Sequence, residues 1–419
     1  MFFPEVLLMD ARAILLLILE ACFGLWLLYR SGLLDTRGRQ LAALALTALA
    51  FTLRGLCLSY ETLDYINFLS RWVAFYRENG GFAAFAYPLG NYNIPYLYFL
   101  CFFSYLPIYD LYLIKLLSIL FDVLLAWGCA MLLGTVRQEK NLRLACYFTV
   151  LFLPTVILNG ALWGQCDSIY VAFAVLALWL ALTDRPVWSM LCFTLSFGFK
   201  LQAVFVLPIL AVLWIKKKFK LWHFALFPFF YVLLVLPAVA MGKPFLDTLT
   251  LYASQTGSIG DGLNYNSPSV YAFFWHVRDP EAAASLGIAG AFTYLAALLL
   301  ICLFRRNRLT ERAVLAAALL MAVGIPFFLP HMHDRYFFAA DILSVVLAFS
   351  CLWCIPAAPL VQFASLLGYH AYLKMRFLLY MNHGARALIA VLVLTFAYLL
   401  WETRAPQARE KMEKPKNQT

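Results

Sequence analysis

Charged side chains are scarce in this sequence. Asp, Glu, Lys and Arg make up only 13% of the 419 residues, hydrophobic residues make up 64%, and the mean hydropathy is +0.80. The apolar residues recur in blocks of roughly 16–24, close to the ~20 residues that an α-helix needs to cross a bilayer. No water-soluble domain of this length needs so much apolar material. The composition therefore predicts an all-α, polytopic integral membrane protein.

The sequence also lacks the patterns of a nucleic-acid-binding protein, a zinc site or a cleaved leader. The net charge is +10, but the basic residues lie in short loops between apolar blocks, which is the distribution that orients membrane proteins. Cys351 and Cys354 are spaced CxxC without a second pair or neighbouring histidines, so they do not predict zinc. The opening stretch MFFPEVLLMD is acidic and is not followed by a small-residue cleavage site, which argues against a signal peptide.

Placing the basic loops on the cytoplasmic side predicts about thirteen crossings, with the C-terminus inside. Residues 1–401 are expected to form one transmembrane domain, and residues 402–419 a disordered cytoplasmic tail. Two long external loops are expected at residues 60–108 and 242–286, and the first should contain interfacial helices, one of them within residues 93–107. The predicted crossings lie at about residues 11–30, 39–59, 111–133, 143–160 and 168–184, twice within 186–215, at 221–240, 287–304 and 313–329, from Tyr336 onward, and twice more before the tail.

The turn GFKLQ at residues 198–202 interrupts the regular pattern of crossings. Only 30 residues separate Arg185 from the basic stretch KKKFK. Two crossings of about 15 residues each are shorter than the ~20 required, so the turn should lie below the outer membrane surface. Backbone turns occur at that depth only when they are buried in protein or line a wet cavity. We therefore expect Lys200 in such a cavity, although a lysine can also reach water by snorkelling.

Unusual polar side chains collect on the predicted external face. Polar groups near a bilayer are costly, so their clustering indicates a functional site. Simpler roles remain open for Asp64, which could only solubilise an interfacial helix, and for Asp167, which could only cap the next helix. Charged residues within the helices are assigned to helix packing: Glu20, Arg54, Lys115 and Asp122. The external set comprises Glu61, Asp64, Asn91, Asn93, Asn159, Trp163, Gln165, Asp167, Lys200, Gln202, Asn264, Asn266 and His331 to Arg335.

The stretch PHMHDRYFFAAD at residues 330–341 has three interpretations. His331, His333 and Asp334 have donor atoms suitable for a metal, but Arg335 would place a permanent cation beside the ion. A proton relay would also use His and Asp, yet secondary transporters place such groups near the bilayer midplane. A phosphate or pyrophosphate suits a protonated histidine, an arginine and a nearby lysine better, because arginine offers a bidentate fork.

Four segments resemble, in matching order, the motifs of the GT-C superfamily of membrane glycosyltransferases. HDRYFF at 333–338 resembles the His-Glu-Arg-Tyr signature of a late external loop, and WGQCDSIY at 163–170 resembles the second external loop. LDYINFLSRW at 63–72 with GNYNIPYLY at 90–98 resembles the first external loop, and GFKLQ matches a K.Q turn. Within the superfamily, the sequence resembles the mannosyltransferases related to the enzyme that adds the second mannose of GPI anchors.

This resemblance implies a many-helix fold whose large first external loop holds a catalytic aspartate, and a sugar donor linked to polyprenyl phosphate. By position, Asp64 is the candidate general base and Asp167 the second acidic residue near the reacting centre. The candidates for holding the lipid phosphate are Lys200, Gln202, His333 and Arg335. The candidates for sugar or acceptor contacts are Trp72, Asn91, Asn93, Trp163, Gln165, Asp334 and Tyr336.

Two features depart from the family pattern. Asp334 replaces the usual glutamate and shortens that carboxylate by one methylene, which leaves the choice of donor or acceptor open. An additional helix at residues 11–30 precedes the helix with which the module normally begins. Neither departure removes the residues that the chemistry needs.

The sequence therefore predicts an inverting transfer of a hexose, mannose by resemblance, from a polyprenyl-phosphate-linked donor to a glycan, lipid or protein acceptor. Such a reaction needs a carboxylate to activate the acceptor hydroxyl and cations to stabilise the leaving phosphate. The alternatives are a flippase or exporter of lipid-linked sugars, and a polymerase or ligase that uses lipid pyrophosphates. We expect no cofactor, with a divalent metal as the less favoured alternative. The expected location is a bacterial plasma membrane with the site on the extracytoplasmic side.

Overall fold

The computed structural model describes residues 10–90, 92–257, 262–274 and 276–404, and helices dominate this part of the chain. Two π-helical segments, Tyr65–Leu69 and Ile157–Trp163, interrupt the α-helical pattern, and short 3₁₀ turns connect several helices. Two parallel strands of two residues each, β1 (Asn264–Tyr265) and β2 (Met332–His333), pair with one another. The α-helices are α1 Ala11–Arg30, α2 Arg37–Gly55, α3 Ser70–Glu78, α4 Ile94–Phe103, α5 Asp110–Leu133, α6 Lys140–Phe152, α7 Pro154–Val156, α8 Asp167–Leu182, α9 Pro186–Phe199, α10 Ile209–Ile215, α11 Leu226–Ala240, α12 Phe245–Gly257, α13 Pro280–Phe304, α14 Glu311–Phe328, α15 Phe338–Ser350, α16 Ala357–Leu373 and α17 Met381–Glu402.

Among the described residues, seven helical segments are long and apolar enough to cross a membrane, or eight if the bent pair Lys140–Phe152 and Pro154–Trp163 is one broken span. This is the architecture of a polytopic membrane protein, but it does not confirm the expected thirteen crossings. Helices occupy the other five predicted positions as well. Four of them, α8, α9, α10 and α15, have 16, 14, 7 and 13 residues, fewer than the ~20 that a full crossing requires.

Several helix ends differ from the predicted ones because of local capping. Helix α13 begins at Pro280 rather than near residue 287, since the Asp279 carboxylate accepts a hydrogen bond of 3.0 Å from the Ala282 backbone N–H. Helix α15 begins at Phe338, so Tyr336 belongs to the preceding turn and not to the helix. At the other end of the chain, α17 includes Glu402, and residues 405–419, where the tail was expected, lie outside the described residues.

Helix α5 is at the centre of the fold and is buried along most of its length. It packs against α1, α6 and α8. The Arg54 guanidinium donates to the Asp122 carboxylate at 3.0 Å, and both side chains are fully buried. The assignment of Arg54 and Asp122 to helix packing agrees with this contact, which joins α2 to α5. A buried ion pair of this kind needs a partner on each side, because an unpaired charge in such a position is strongly destabilising.

The GFKLQ turn lies inside the protein. Helix α9 ends at Phe199, Lys200 has an extended backbone conformation, and a 3₁₀ turn follows at Leu201–Phe205. Only 7% of Lys200 is exposed. The lysine therefore does not reach bulk water by snorkelling, and its charge must be compensated by protein groups.

Candidate active site

Asp64 is oriented by two donors from a distant loop. It precedes the π-helical segment Tyr65–Leu69, and its Oδ2 accepts hydrogen bonds from Trp163 Nε1 at 2.8 Å and Gln165 Nε2 at 2.7 Å. The hydroxyl of Thr62 also donates to the Trp163 carbonyl at 3.1 Å. Asp64 itself is half-buried. Its carboxylate is therefore fixed in direction yet accessible to a substrate hydroxyl.

The loop that provides these donors has an unusual backbone. The π-helical segment Ile157–Trp163 ends at Gly164, whose φ of +78° is in the left-handed region that side chains with a Cβ rarely adopt. The Gln165 N–H then donates to the Asn159 carbonyl at 2.9 Å and closes the turn. Single π-helical turns are frequent at functional sites. Here the turn brings Trp163 and Gln165 toward Asp64.

Asp167 is almost completely buried and is neutralised by Lys200. Its Oδ1 accepts a bond of 2.6 Å from Lys200 Nζ, and its Oδ2 accepts one of 2.8 Å from Asn159 Nδ2. Arg335 Nε lies 3.6 Å from Oδ2. Of the two roles left open for Asp167, the cap is not observed, because Asp167 is the first residue of α8 and the capping position belongs to Cys166. The carboxylate instead accepts from the lysine and the amide.

Arg335 lies beside both Asp167 and Trp163. The chain leaves β2 at His333 and turns immediately, which places the Arg335 guanidinium carbon 5.1 Å from the centre of the Trp163 ring. Its Nη1 is 3.6 Å from the Asp334 carboxylate. Its Nε is buried and has no hydrogen-bond partner among the described residues. Lys200 and Arg335 are thus two neighbouring cations whose remaining N–H groups can donate hydrogen bonds to an anion.

His333 is a neutral ring rather than a cation. Its ring stacks on Tyr265 with the centroids 4.7 Å apart and the planes 12° apart, and it lies 5.2 Å from the Tyr336 ring. Burial, followed by the positive charge of Arg335, lowers the pKa of His333 to about 4. The lowered pKa favours a neutral imidazole at neutral pH, whereas the sequence suggested a protonated one. A neutral imidazole retains one N–H donor for a phosphate oxygen.

Asp334 is buried next to Arg335. Burial raises the pKa of Asp334 to about 7, and the neighbouring arginine only partly opposes this shift. Its Oδ1 has no hydrogen-bond partner among the described residues. The carboxyl group is therefore present in both protonation states near neutral pH.

The remaining candidates fall into two groups. Trp72 packs against Tyr92, with ring centroids 5.4 Å apart, and the Tyr92 hydroxyl donates to Gln165 Oε1 at 3.3 Å. Tyr336 and Gln202 are neighbours, and Tyr336 is also close to Arg335 and Lys200. In contrast, Asn93 is buried, caps α4 and donates to the Tyr231 hydroxyl at 3.1 Å, so its polar atoms are used within the protein.

One predicted residue is not placed and two contributors were missed. Asn91 lies outside the described residues. Tyr372 stacks on Trp163 with a centroid separation of 4.0 Å, and Tyr369 meets the same ring edge-on at 5.5 Å. Both tyrosines are on α16, a predicted crossing without a polar motif, so the sequence contains no local signal for them. They fix the indole that holds Asp64.

The histidines do not form part of a ligand cluster. The His331 Nδ1 lies 2.8 Å from the Gly262 carbonyl, while the His333 ring is stacked as described above. Across the described ranges, no group of three or more His, Cys, Asp or Glu side chains is arranged to hold a metal ion.

A half-exposed carboxylate is thus linked through Trp163 to a buried cluster that contains two cations, in a bundle of apolar helices, and this arrangement is suited to group transfer at a membrane. The sequence matches the family model of glycosyltransferase family 87 over residues 91–330, more than half of the chain. The chain belongs to this family, and it is a membrane glycosyltransferase. The matched span includes Trp163, Asp167 and Lys200, whereas Asp64 and Arg335 lie outside it. No curated protein sequence matches the chain.

Proposed function

We propose that this protein transfers a hexose, mannose by its resemblance to the GPI-anchor mannosyltransferases, from a polyprenyl-phosphate donor to an acceptor hydroxyl. The acceptor is a glycan, a lipid or a protein, and the reaction takes place on the extracytoplasmic side of a bacterial plasma membrane, with the C-terminus in the cytoplasm. Asp64 is the general base. Lys200 and Arg335 hold the phosphate, with His333 and Gln202 as further donors.

In the proposed reaction the acceptor oxygen attacks the anomeric carbon as Asp64 removes the hydroxyl proton. The new C–O bond forms while the bond between the anomeric carbon and the phosphate oxygen breaks. Polyprenyl phosphate leaves with that electron pair, and the configuration at the anomeric carbon is inverted. Preorganised cations aimed at the leaving oxygen stabilise the charge that develops there. A general base in position contributes roughly 10²–10⁴-fold to such a rate.

The observation that carries this proposal is the position of Trp163 between the base and a cation. Its indole Nε1 donates to Asp64 at 2.8 Å, and its ring lies 5.1 Å from the Arg335 guanidinium. A donor phosphate bound by Arg335 and an acceptor hydroxyl bound by Asp64 would therefore be separated by about the width of the Trp163 indole, with the sugar between them. Trp72 and Tyr92 provide further aromatic surface for the apolar faces of a sugar.

We propose that no metal takes part. Lys200 and Arg335 supply two positive charges for a single phosphate, and no group of three or more His, Cys, Asp or Glu side chains in the described ranges is arranged to hold a metal ion. The permanent positive charge of Arg335 at this position suits a phosphate oxygen better than a divalent cation.

The test is transfer of radiolabel from polyprenyl-phosphate mannose by the purified protein in detergent, to water or to an added membrane extract. Wild type is compared with Asp64→Asn and with Glu61→Gln. Glu61 is an exposed carboxylate on the same loop that accepts a bond of 2.8 Å from the Tyr109 hydroxyl, so its substitution removes a negative charge nearby without touching the site. We expect Asp64→Asn to lose transfer by at least about 10²-fold and Glu61→Gln to retain it.

Equal transfer by wild type and Asp64→Asn would remove Asp64 from the mechanism. Label released from polyprenyl-phosphate glucose or galactose, but not mannose, would overturn the assignment of the sugar and leave the reaction class intact. Movement of an intact lipid-linked sugar across a vesicle membrane, without cleavage of the sugar–phosphate bond, would favour the flippase alternative.

A further inference from the structure

One face of the buried helix α5 contains three polar residues. Lys115, Ser118 and Asp122 are separated by three and four positions, which places them on the same side of the helix. All three are fully buried. Polar side chains inside a membrane protein are costly, and apolar residues would pack α5 against its neighbours without that cost. Their partners indicate why they are present.

Lys115 fixes the segment that leads to Asp64. Its Nζ donates to the carbonyls of Cys57, Leu58 and Tyr60 at 2.8, 3.1 and 2.5 Å. These carbonyls follow the end of α2, where backbone acceptors no longer have helical partners. A lysine that satisfies three of them holds the chain at a fixed position only a few residues before Asp64.

Ser118 fixes the loop that orients Asp64. Its hydroxyl donates to the Gln165 carbonyl at 2.7 Å. The side chain of Gln165 donates in turn to Asp64 at 2.7 Å. The loop is also close to α5 at Gly164, where an added Cβ would lie 3.7 Å from the Lys115 side chain.

Asp122 fixes the start of α8, where Asp167 is located. Its Oδ1 accepts a bond of 2.5 Å from the Ser168 hydroxyl, and its Oδ2 is paired with Arg54. Ser168 is the residue after Asp167. The Arg54 guanidinium is itself held by the Leu151 carbonyl at 2.9 Å.

We propose that Lys115, Ser118 and Asp122, which together form the polar face of α5, are positioning residues of the active site. Lys115 anchors the segment before Asp64, and Ser118 and Asp122 anchor the segment that contains Gln165 and Asp167. One helix thus sets the separation of the base from the phosphate-holding cluster. Helix packing alone does not explain this pattern, because the partners are backbone or side-chain groups of the site segments. This inference rests on the function proposed above.

The test compares two buried hydroxyls that make the same kind of bond. Ser118→Ala removes the 2.7 Å bond to the Gln165 carbonyl, and Ser189→Ala removes a 2.7 Å bond from α9 to the Ala177 carbonyl of α8, away from the site. Both serines are fully buried. We expect Ser118→Ala to lower kcat about tenfold with little change in the KM for donor, because small misplacements of reacting groups cost large factors in rate. Ser189→Ala should retain kcat within about twofold.

Two further readouts separate positioning from stability. In a Gln165→Ala background, Ser118→Ala should have little additional effect on kcat, because the side chain that it positions is already absent. Amide hydrogen exchange at residues 163–168 should increase in Ser118→Ala and not in Ser189→Ala. Equal kcat and equal exchange at these residues in the two serine variants would overturn the proposal.

The same experiment includes Asp64→Asn, so the two hypotheses fail differently. If Asp64→Asn is inactive and Ser118→Ala behaves like Ser189→Ala, the catalytic proposal stands and the positioning proposal falls. If Asp64→Asn is fully active, the catalytic proposal falls, and the exchange data still decide whether Ser118 holds the loop.

Discussion

Trp163 and Asp64 are joined by a hydrogen bond of 2.8 Å, from the indole Nε1 to the carboxylate Oδ2, across 99 positions in the chain. Trp163 is fully buried between Tyr369 and Tyr372, whereas Asp64 is partly accessible. The buried indole therefore orients the partly exposed carboxylate. This relationship makes the indole N–H, and not only the aromatic surface, part of the proposed site.

Replacing Trp163 with phenylalanine should remove this donor and keep most of the ring stacking. We expect kcat to fall about tenfold, since one buried hydrogen bond to a charged group contributes roughly 1.5–3 kcal/mol and Gln165 still holds Asp64. The measurement is steady-state transfer by the purified variant.

Trp127→Phe is the matched control for that variant. Its indole Nε1 donates a bond of 2.8 Å to the Ser31 hydroxyl, far from the site. Transfer by Trp127→Phe should remain close to that of wild type. If both tryptophan variants lose the same activity, the indole of Trp163 has no special role in orienting Asp64.

The sequence identified the segments that meet around Asp64 and Asp167 in the structure, but not how their side chains are used. The WGQCDSIY, GFKLQ and HDRYFF stretches contain the residues that surround Asp167 in the structure. Whether the Asp167 carboxylate capped its own helix or paired with Lys200 depended on a contact between residues 33 positions apart. No local pattern determines such a contact.

The sequence also did not predict the protonation state of His333. The composition of the PHMHDRY stretch suggested a positively charged histidine, but the ring of His333 is stacked on Tyr265 from a different loop and has its pKa lowered by burial. The crossings show a similar limit. Hydropathy identified where helices lie, whereas their lengths depend on caps such as Asp279 and on turns buried in the bundle.

Treatment with EDTA should leave transfer unchanged. No group of three or more His, Cys, Asp or Glu side chains in the described part of the chain is arranged to hold a metal ion, and Arg335 would place a positive charge beside one. The measurement is the initial rate after dialysis against EDTA, with added Mg²⁺ or Mn²⁺ as the comparison. A rate that disappears on chelation and returns with one cation would contradict the proposal that Lys200 and Arg335 are sufficient.

Stability should depend on the ionisation of Asp334. Folding raises the pKa of Asp334 from 3.8 to about 7, so the folded state binds this proton more tightly than the unfolded state. The resulting stabilisation is fully present below pH 3.8 and is lost as the pH rises through about 7. Asp334→Asn resembles the neutral form at every pH. Its Tm should therefore exceed that of wild type by a margin that increases between about pH 4 and about pH 7 and stays constant above about pH 8.

The comparison with wild type is necessary because His333 has the opposite dependence. Its pKa falls from 6.5 to about 4 on folding, so its contribution to stability is present above pH 6.5 and is lost as the pH falls. Both proteins contain His333, and the difference in Tm isolates Asp334. Asp184→Asn, which changes an exposed carboxylate, should show no such widening. A margin that stays constant with pH would mean that Asp334 ionises normally.

The Lys200–Asp167 pair should show separate effects on stability and on transfer. Lys200→Met leaves a buried carboxylate without its closest cation, and breaking a buried pair in this way costs roughly 3–5 kcal/mol. The double variant Lys200→Met/Asp167→Asn removes both charges, so it should recover most of the lost Tm while transfer stays abolished.

Lys218→Met provides the contrast, since its 2.7 Å bond to Asp184 is with an exposed carboxylate and should contribute no more than about 1 kcal/mol. Recovery of transfer together with stability in the double variant would show that the pair is structural and that the phosphate is held elsewhere, because a cation required for the leaving group cannot be replaced by restoring the fold.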